Sequence, residues 1–471
     1  MIKKELYLYN TASRIKELFT LQEGVSEVRL YACGPTVYHY AHLGNLRTYL
    51  FEDLLRRSLE YFGFSVRHVI NITDVGHLTS DQDDGEDKME VGAERAGKSV
   101  WEIADFYTKK FKSDLESLNV LPPTIWCKAT DHIKDQIALI ENLEEKGYTY
   151  RTSDGIYFDS LKFPKYANFA RLDITGLKSG ARIDLGEKKS ATDFALWKFS
   201  PTGSKRAMEW ESPWGVGFPG WHIECSAMSM AHLGETLDIH CGGTDHIRVH
   251  HTNEIAQSEC ATGKLFSRFW LHGEFLRDNN FEKMSKSNGD FLTLDLLMEK
   301  GFDPIAYRLF SLTSHYRNYL NFSWEAMESA QESLNALRKK TQHFIGMECE
   351  SIGVDAREWS IKFRGYIGDD LNSSGAISIL HMMLADSSLE DNEKAALIKE
   401  FDGVLGLCLL EKPKKAKHSA EEIAKVEALI KERNAARISK DFADSDRLRY
   451  DLLEMGVVIK DTKDDTIWEW K

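Results

Sequence analysis

Three groups of residues in this chain are of types and spacings that can do chemistry. The first is His42-Leu43-Gly44-Asn45, at the head of a leucine-rich run. A helix that begins there presents backbone N–H groups and partial positive charge to a phosphate. Gly44 lets a flat ring approach the backbone, and His42 can donate hydrogen bonds to phosphate oxygens. A turn glycine beside a surface histidine explains these four residues equally well. The second group is Lys283-Met284-Ser285-Lys286-Ser287, followed by Asn288-Gly289. Two ammonium groups three residues apart on a serine-rich loop suit a leaving pyrophosphate, whose developing charge they offset. The third group is Cys33, Cys225, His250 and Glu254. His250 and Glu254 are four apart on a predicted helix and share a face. Two thiolates, an imidazole and a carboxylate are all acceptable zinc ligands. They come from separate segments, however. By spacing alone each cysteine reads as a small buried hydrophobe, and the His–Glu pair as an exposed helix pair.

The surrounding pattern supplies elements to carry these groups. Residues 27–32 read as a buried strand, followed by the turn Cys33-Gly34-Pro35-Thr36. Leu46, Leu50, Leu54, Leu55, Leu59 and Phe62 then recur at spacings of three and four, which predicts a helix lying on a sheet. Gly63 closes it. Residues 65–72 form a second β-rich run, so the span is a strand–helix–strand unit of a parallel sheet. Residues 99–147 read as helical, broken at Leu121-Pro122-Pro123, and 148–219 as an irregular insertion rich in glycine and aromatics. A second α/β block follows, with strands at 236–240 and 269–275 and a helix at 250–262. The pattern is helical from 320 to 410, and 412–417 reads as a linker to a small terminal unit.

Bulk properties limit the classes. At 471 residues the chain exceeds a single core. Its 42% hydrophobic and 28% charged residues are those of a globular protein, not a disordered one. No apolar run reaches the roughly 18 residues of a membrane span, and the first residues carry no secretory signal. Seven cysteines, an odd number thinly spread, do not make a disulfide framework. A reducing cytoplasmic setting is expected. The net charge of -14 argues against nonspecific coating of nucleic acid, though not against gripping a folded RNA through local basic patches.

The first two groups together resemble the two ATP signatures of class I aminoacyl-tRNA synthetases, with Asn45 standing where the family has a second histidine. Three further segments are similar to the cysteinyl-tRNA synthetases specifically. These are Cys33-Gly34-Pro35-Thr36-Val37-Tyr38, Gly220-Trp221-His222-Ile223-Glu224-Cys225-Ser226-Ala227-Met228 and His250-His251-Thr252-Asn253-Glu254-Ile255-Ala256-Gln257-Ser258. The resemblance implies an α/β fold: a Rossmann-type parallel-sheet catalytic domain split by an insertion, then a helical-bundle tRNA-binding domain and a small C-terminal unit. It implies one zinc ion per chain on Cys33, Cys225, His250 and Glu254, and an amino-acid pocket lined by Thr73, Trp221 and Asp245. His42, Gly44, Asn45, Lys283, Ser285 and Lys286 would bind ATP with magnesium, and His42, Asn45, Lys283 and Lys286 would serve the reaction. The expected partners are L-cysteine, ATP and tRNA(Cys), with no membrane, for a cytoplasmic monomer. Cys241, in a segment where the family has glycine, is expected near the metal but not on it.

Zinc at such a site has a chemical reason. Cysteine and serine differ only in S for O, which a cavity of fixed shape separates poorly. Zinc prefers thiolate to alcohol and favours the deprotonated thiol. The substrate sulfur would either add as a fifth ligand or displace one.

Domains are expected at 1–115 and 220–280 (the two catalytic halves), 116–219 (insertion), 281–325 (ATP loop and stem contact), 326–410 (helical bundle) and 411–471 (anticodon side). In the last, Arg433, Arg437, Lys440, Arg447 and Arg449 form predicted basic helical faces leading toward Trp468, which can stack on an unpaired base. The acidic stretch within 76–86 fails the calcium-loop pattern, because its glycine is one place early and no glutamate closes it. It reads as a solvated loop. Three rival readings are a ligase joining cysteine to an amino-sugar, which would not need the terminal RNA-binding unit, a non-catalytic RNA-binding relative, and a synthetase for another amino acid, against which the paired cysteines of the catalytic halves count.

Overall fold

The buried strand expected near the N-terminus follows a short hairpin, β1 (Tyr7–Asn10) and β2 (Ile15–Leu18), as β3 (Val28–Ala32). The computed structural model describes residues 5–76, 87–172, 187–201, 206–277, 292–347, 353–411, 420–439, 441–461 and 466–470. They fall into two compact units, Met1–Leu410 and Glu411–Lys471.

In the first unit β3 leads into α1 (Leu43–Tyr61) and β4 (Val66–Ile72). Then come α2 (Lys88–Ala96), α3 (Val100–Ser117), β5 (Ile125–Lys128) and α4 (Ile133–Glu145). β6 (Thr149–Arg151), β7 (Gly155–Phe158), β8 (Phe194–Phe199) and β9 (Gly217–Pro219) form a separate antiparallel sheet. The chain then returns through α5 (Trp221–Leu233), β10 (Leu237–Gly243), α6 (His250–Thr262) and β11 (Ser267–Gly273). The main sheet has the order β11-β10-β3-β4-β5, parallel throughout. Its two sequence halves meet between β3 and β10, where the strand order reverses. That is where open α/β sheets bind ligands.

The region expected as an insertion from 116 needs correction. β5 lies inside that span, yet it is an edge strand of the main sheet, paired with β4. Only four residues long, it is too short for a periodic signal and sits in a stretch that reads as helical. What is set apart is the four-stranded antiparallel sheet of β6 to β9, with a register shift between Ile156 and Tyr157. β10 also runs to Gly243, beyond the expected end at 240, and β11 ends at Gly273 rather than 275.

Alternating residues of β3 supply two cores. Val28, Leu30 and Ala32 join α1 on one face, and Tyr31 and Cys33 join α5 and α6 on the other. The rest of the unit is β12 (Leu276–Arg277), α7 (Leu294–Glu299), α8 (Pro304–Leu312), β13 (Leu320–Asn321), α9 (Trp324–Thr341), α10 (Val354–Gly368), α11 (Ser373–Ala385) and α12 (Asp391–Leu405). Asp53 on α1 ties this helical part to the sheet. Its carboxylate meets Arg308 Nη2 of α8 at 2.5 Å and Arg57 Nε at 2.8 Å, all buried.

The second unit packs α13 (Ala420–Ile438) and α14 (Phe442–Glu454) against the hairpin of β14 (Val457–Asp461) and β15 (Thr466–Trp470). Val426, Ile430, Leu452 and Val457 make its core. Among the described residues no helix is long and apolar enough to cross a membrane.

Candidate active site

His42 is the N-cap of α1, and its partner in the cap is Asn45. Asn45 N–H donates to His42 Nδ1 at 3.1 Å, and His42 N–H donates to Asn45 Oδ1 at 3.3 Å. This reciprocal box accounts for both residue types. It also fixes a tautomer: Nδ1 accepts, so a neutral ring carries its proton on Nε2. Gly44 has a specific reason as well. A Cβ there would meet the His42 ring at 3.0 Å, so the flat ring that approaches this backbone is that of His42.

Beyond the ends of β3 and β10 lies a cavity of about 310 Å³. Its lining includes Cys33, His39, Tyr40, Asn45, Tyr107, Trp221 and Asp245. Two of the three expected pocket residues, Trp221 and Asp245, are thus on its wall. Thr73 is not among the lining residues. It is buried, its Oγ1 accepts from Asn71 Nδ2 at 3.0 Å, and its backbone joins Pro35 and Val37. Lys283, Ser285 and Lys286 lie outside the described residues, as does all of the acidic stretch except Gly76.

Cys33 lines this cavity, and one ligand atom each from Cys33, Cys225, His250 and Glu254 lie within 4.8 Å of one another, all buried. Cys33 directly follows β3, Cys225 is on α5, and the other two occupy one face of α6. The donors fit a metal ion: Glu254 Oε1 is buried without a hydrogen bond, although His250 Nε2 is only 3.1 Å away. Burial pushes the Cys33 thiol well up, helped by its contact with Cys225. Cys225 is drawn down by its hydrogen bond with Cys33, but burial and the Glu254 charge raise it overall. Buried neutral thiols packed against a carboxylate are the arrangement that a bound cation converts to thiolates. Cys241 belongs to the other face of the sheet, with the α1 core, while its carbonyl accepts from Cys33 N–H at 3.3 Å.

Sequence reasoning missed the imidazoles behind these donors. His240 Nε2 is 2.9 Å from Glu254 Oε2, and His251 Nε2 is 3.4 Å from Cys33 Sγ. A chain continues from His251 Nδ1 to His272 Nε2 at 2.8 Å and from His272 Nδ1 to Thr11 Oγ1 at 2.7 Å. Cys33, His240, His251 and Glu254 even form a second group of ligand atoms within 4.8 Å. Burial and neighbouring histidines hold His251 and His272 well below the ordinary imidazole range, so both are neutral. With a thiolate at Cys33 the chain has one direction: Thr11 donates to His272, His272 to His251 and His251 to sulfur. Gly242 leaves room for this, since a Cβ there would lie 2.6 Å from His246 Nδ1 and 2.9 Å from His251 Cε1. The density of histidine between 240 and 251 was the available signal.

The chain's likenesses agree with this geometry. A family model described as the class I (C) tRNA synthetase catalytic domain matches residues 20–332. A cysteine--tRNA ligase 1 of Burkholderia lata is 52% identical over 97% of this chain and 95% of its own. A cysteine--tRNA ligase of Treponema denticola is 44% identical over 98% and 99%.

The chain belongs to the cysteinyl-tRNA synthetase family.

A second model, the cysteinyl-tRNA ligase anticodon binding domain, matches residues 420–468, a unit for which an amino-sugar ligase has no use. Solved structures similar in fold include a methionyl-tRNA synthetase of Mycobacterium tuberculosis (TM-score 0.56, 14% identity, 81% of this chain and 90% of that one). A leucyl-tRNA synthetase of Agrobacterium radiobacter has a TM-score of 0.58 at 11% identity, covering 84% and 87%. In the family's anticodon-side unit, Trp468 stands opposite Ile459 across the hairpin. Arg437 and Arg449 are exposed. Arg447 is exposed too but paired with Asp444 and Asp451. Arg433, expected on a basic face, is instead buried, because α13 turns it inward. Lys440 lies outside the described residues.

Proposed function

We propose that this enzyme attaches L-cysteine to tRNA(Cys) through a cysteinyl-adenylate, recognising its substrate by a zinc-bound thiolate. The observation that carries the zinc reading is the convergence of Cys33, Cys225, His250 and Glu254, of which Cys33 reaches the wall of the cavity that Trp221 and Asp245 also line. A zinc ion held there would favour the thiolate of cysteine over the hydroxyl of serine. His240 and His251 orient Glu254 and Cys33 from behind.

The cysteine carboxylate attacks the α-phosphate of magnesium-bound ATP, a P–O bond forms, and pyrophosphate leaves. No protein nucleophile is required, so positioning and charge stabilisation dominate. His42 Nε2–H serves as a phosphate donor, and Asn45 holds that ring rather than taking charge itself. Lys283 and Lys286, with Ser285, neutralise the leaving group. The terminal ribose hydroxyl of tRNA then attacks the adenylate carbonyl and releases AMP. Residues 281–325 would contact the stem, 326–410 form the bundle and 411–471 read the anticodon side. A cytoplasmic monomer suits this task.

The test is ATP–pyrophosphate exchange on the metal-replete protein with cysteine, serine and methionine in parallel, then charging of tRNA(Cys). Exchange with cysteine alone is expected. A Cys225→Ala protein should lose stoichiometric zinc, measured by atomic emission, together with discrimination against serine. Full zinc content or unchanged selectivity in that variant would remove the metal from recognition.

A further inference from the structure

The cavity has a wall that the steps above do not use. Tyr40 and Tyr107 line it, with their rings edge to face at 5.1 Å between centroids. Phe106 packs edge-on against both, at 6.1 Å from Tyr40 and 5.1 Å from Tyr107. It stays 40% exposed. His39 is stacked parallel to Tyr107 at 6.0 Å. The Lys98 ammonium sits 4.8 Å over the Phe106 ring, on the exposed surface. Arg95, also exposed, acts on Tyr38 of the same wall. The acids around this wall have partners: Asp295 and Asp114 are paired with Lys110 at 2.5 and 2.8 Å and Asp105 with Lys109 at 2.7 Å, while Glu102, which bonds to Ser99, is also within electrostatic reach of Lys98.

Aromatic faces interleaved with cations are what unpaired nucleotides need: rings for the bases and ammonium groups for the phosphates. Phe106 packs on Tyr40 and Tyr107, and these two line the cavity where the tRNA ribose hydroxyl must meet the adenylate. We infer that Phe106, Tyr40 and Lys98 form a landing for the unpaired 3′ end of the tRNA. Phe106 and Tyr40 take bases just before the terminal nucleotide, and Lys98 takes a phosphate. This rests on the tRNA-charging reading above. The adenine of ATP would be the other candidate for these rings, and the two differ in which half-reaction they affect.

The experiment compares full-length Phe106→Ala, Phe106→Leu and Phe106→Trp proteins in charging and in pyrophosphate exchange. Loss of one stacked base should lower kcat/KM for tRNA by about tenfold in the Ala protein. The Leu protein should match it, the Trp protein should recover, and exchange should fall far less. Recovery by Leu equal to that by Trp, a parallel fall in exchange, or no change in charging would each overturn the assignment. Lys98→Ala, at an exposed side chain, is the second arm. It should weaken charging and reduce the slope of log kcat/KM against log salt by about one unit. An unchanged slope removes the phosphate contact. If the parent protein itself does not charge tRNA, the underlying reading fails; if it does, only these variants decide the landing.

Discussion

Among the described residues several buried polar atoms lack a hydrogen-bond partner, and at Glu52 and His68 the cost is measurable. Both carboxyl oxygens of Glu52, on α1, are buried with no hydrogen bond among the described residues. Burial pushes this carboxyl well above its ordinary value, so it is a neutral acid in an apolar site. Replacement by leucine should stabilise the protein by about 1–3 kcal/mol, the usual cost of an unmet polar group, read as a higher denaturation midpoint. His68 on β4 likewise has both ring nitrogens buried and unpartnered. Burial, reinforced by Arg56, lowers it to about 3. Between that value and its unfolded value near 6.5, only the unfolded chain takes up the proton. Stability should therefore fall as pH drops through this window. From pH 6 to pH 5 the residue should cost about 1 kcal/mol. Urea titrations at both pH values should show a shallower acid decline in a His68→Phe protein.

At the scale of elements, one carboxylate holds several together. Asp53 on α1 meets Arg57 and Arg308 and accepts from Leu121 N–H at 2.8 Å. Arg308, from α8, donates onward to the carbonyls of Leu118 and Asn119 after α3 and of Leu405 at the end of α12. Burial alone would raise the Asp53 carboxyl, but Arg308 and Arg57 outweigh it and hold it below the usual carboxylate range. Asp53→Ala leaves two buried guanidinium groups unpaired and should cost about 3–5 kcal/mol. Adding Arg308→Met should return part of that loss, so the two changes are not additive. Chemical denaturation of the two single variants and the double variant measures the coupling.

For the whole molecule, the division at residues 410 and 411 separates the cavity-bearing unit from the one matching an anticodon binding domain. A chain ending at Leu410 retains every described residue of the cavity. It should activate cysteine much as the full chain does, while tRNA charging falls by about 100-fold through loss of a tethered second contact. Equal losses in exchange and charging would mean that the terminal unit supports the fold of the first.

Much of the site was legible in the chain because its chemistry is local or periodic. The leucine spacing after His42 placed α1, and the four-residue step from His250 to Glu254 put both on one face of α6. A motif such as Lys283 to Ser287, which lies outside the described residues, suggests its chemistry by resemblance alone. By itself the sequence thus determined the residue types of the site, the parallel α/β class and the family. Other features depend on contacts between segments far apart in sequence. β5 is visible only as the partner of β4, since a four-residue strand has no period. The imidazole chain from Cys33 to Thr11 joins residues from the turn after β3, α6, β11 and the turn after β1. The inward turn of Arg433, the withdrawal of Thr73 from the cavity and the capping duty of Asn45 also follow from packing. Tertiary structure alone decided these, because whether a polar side chain finds a ligand, a backbone partner or no partner depends on which segments the sheet brings beside it.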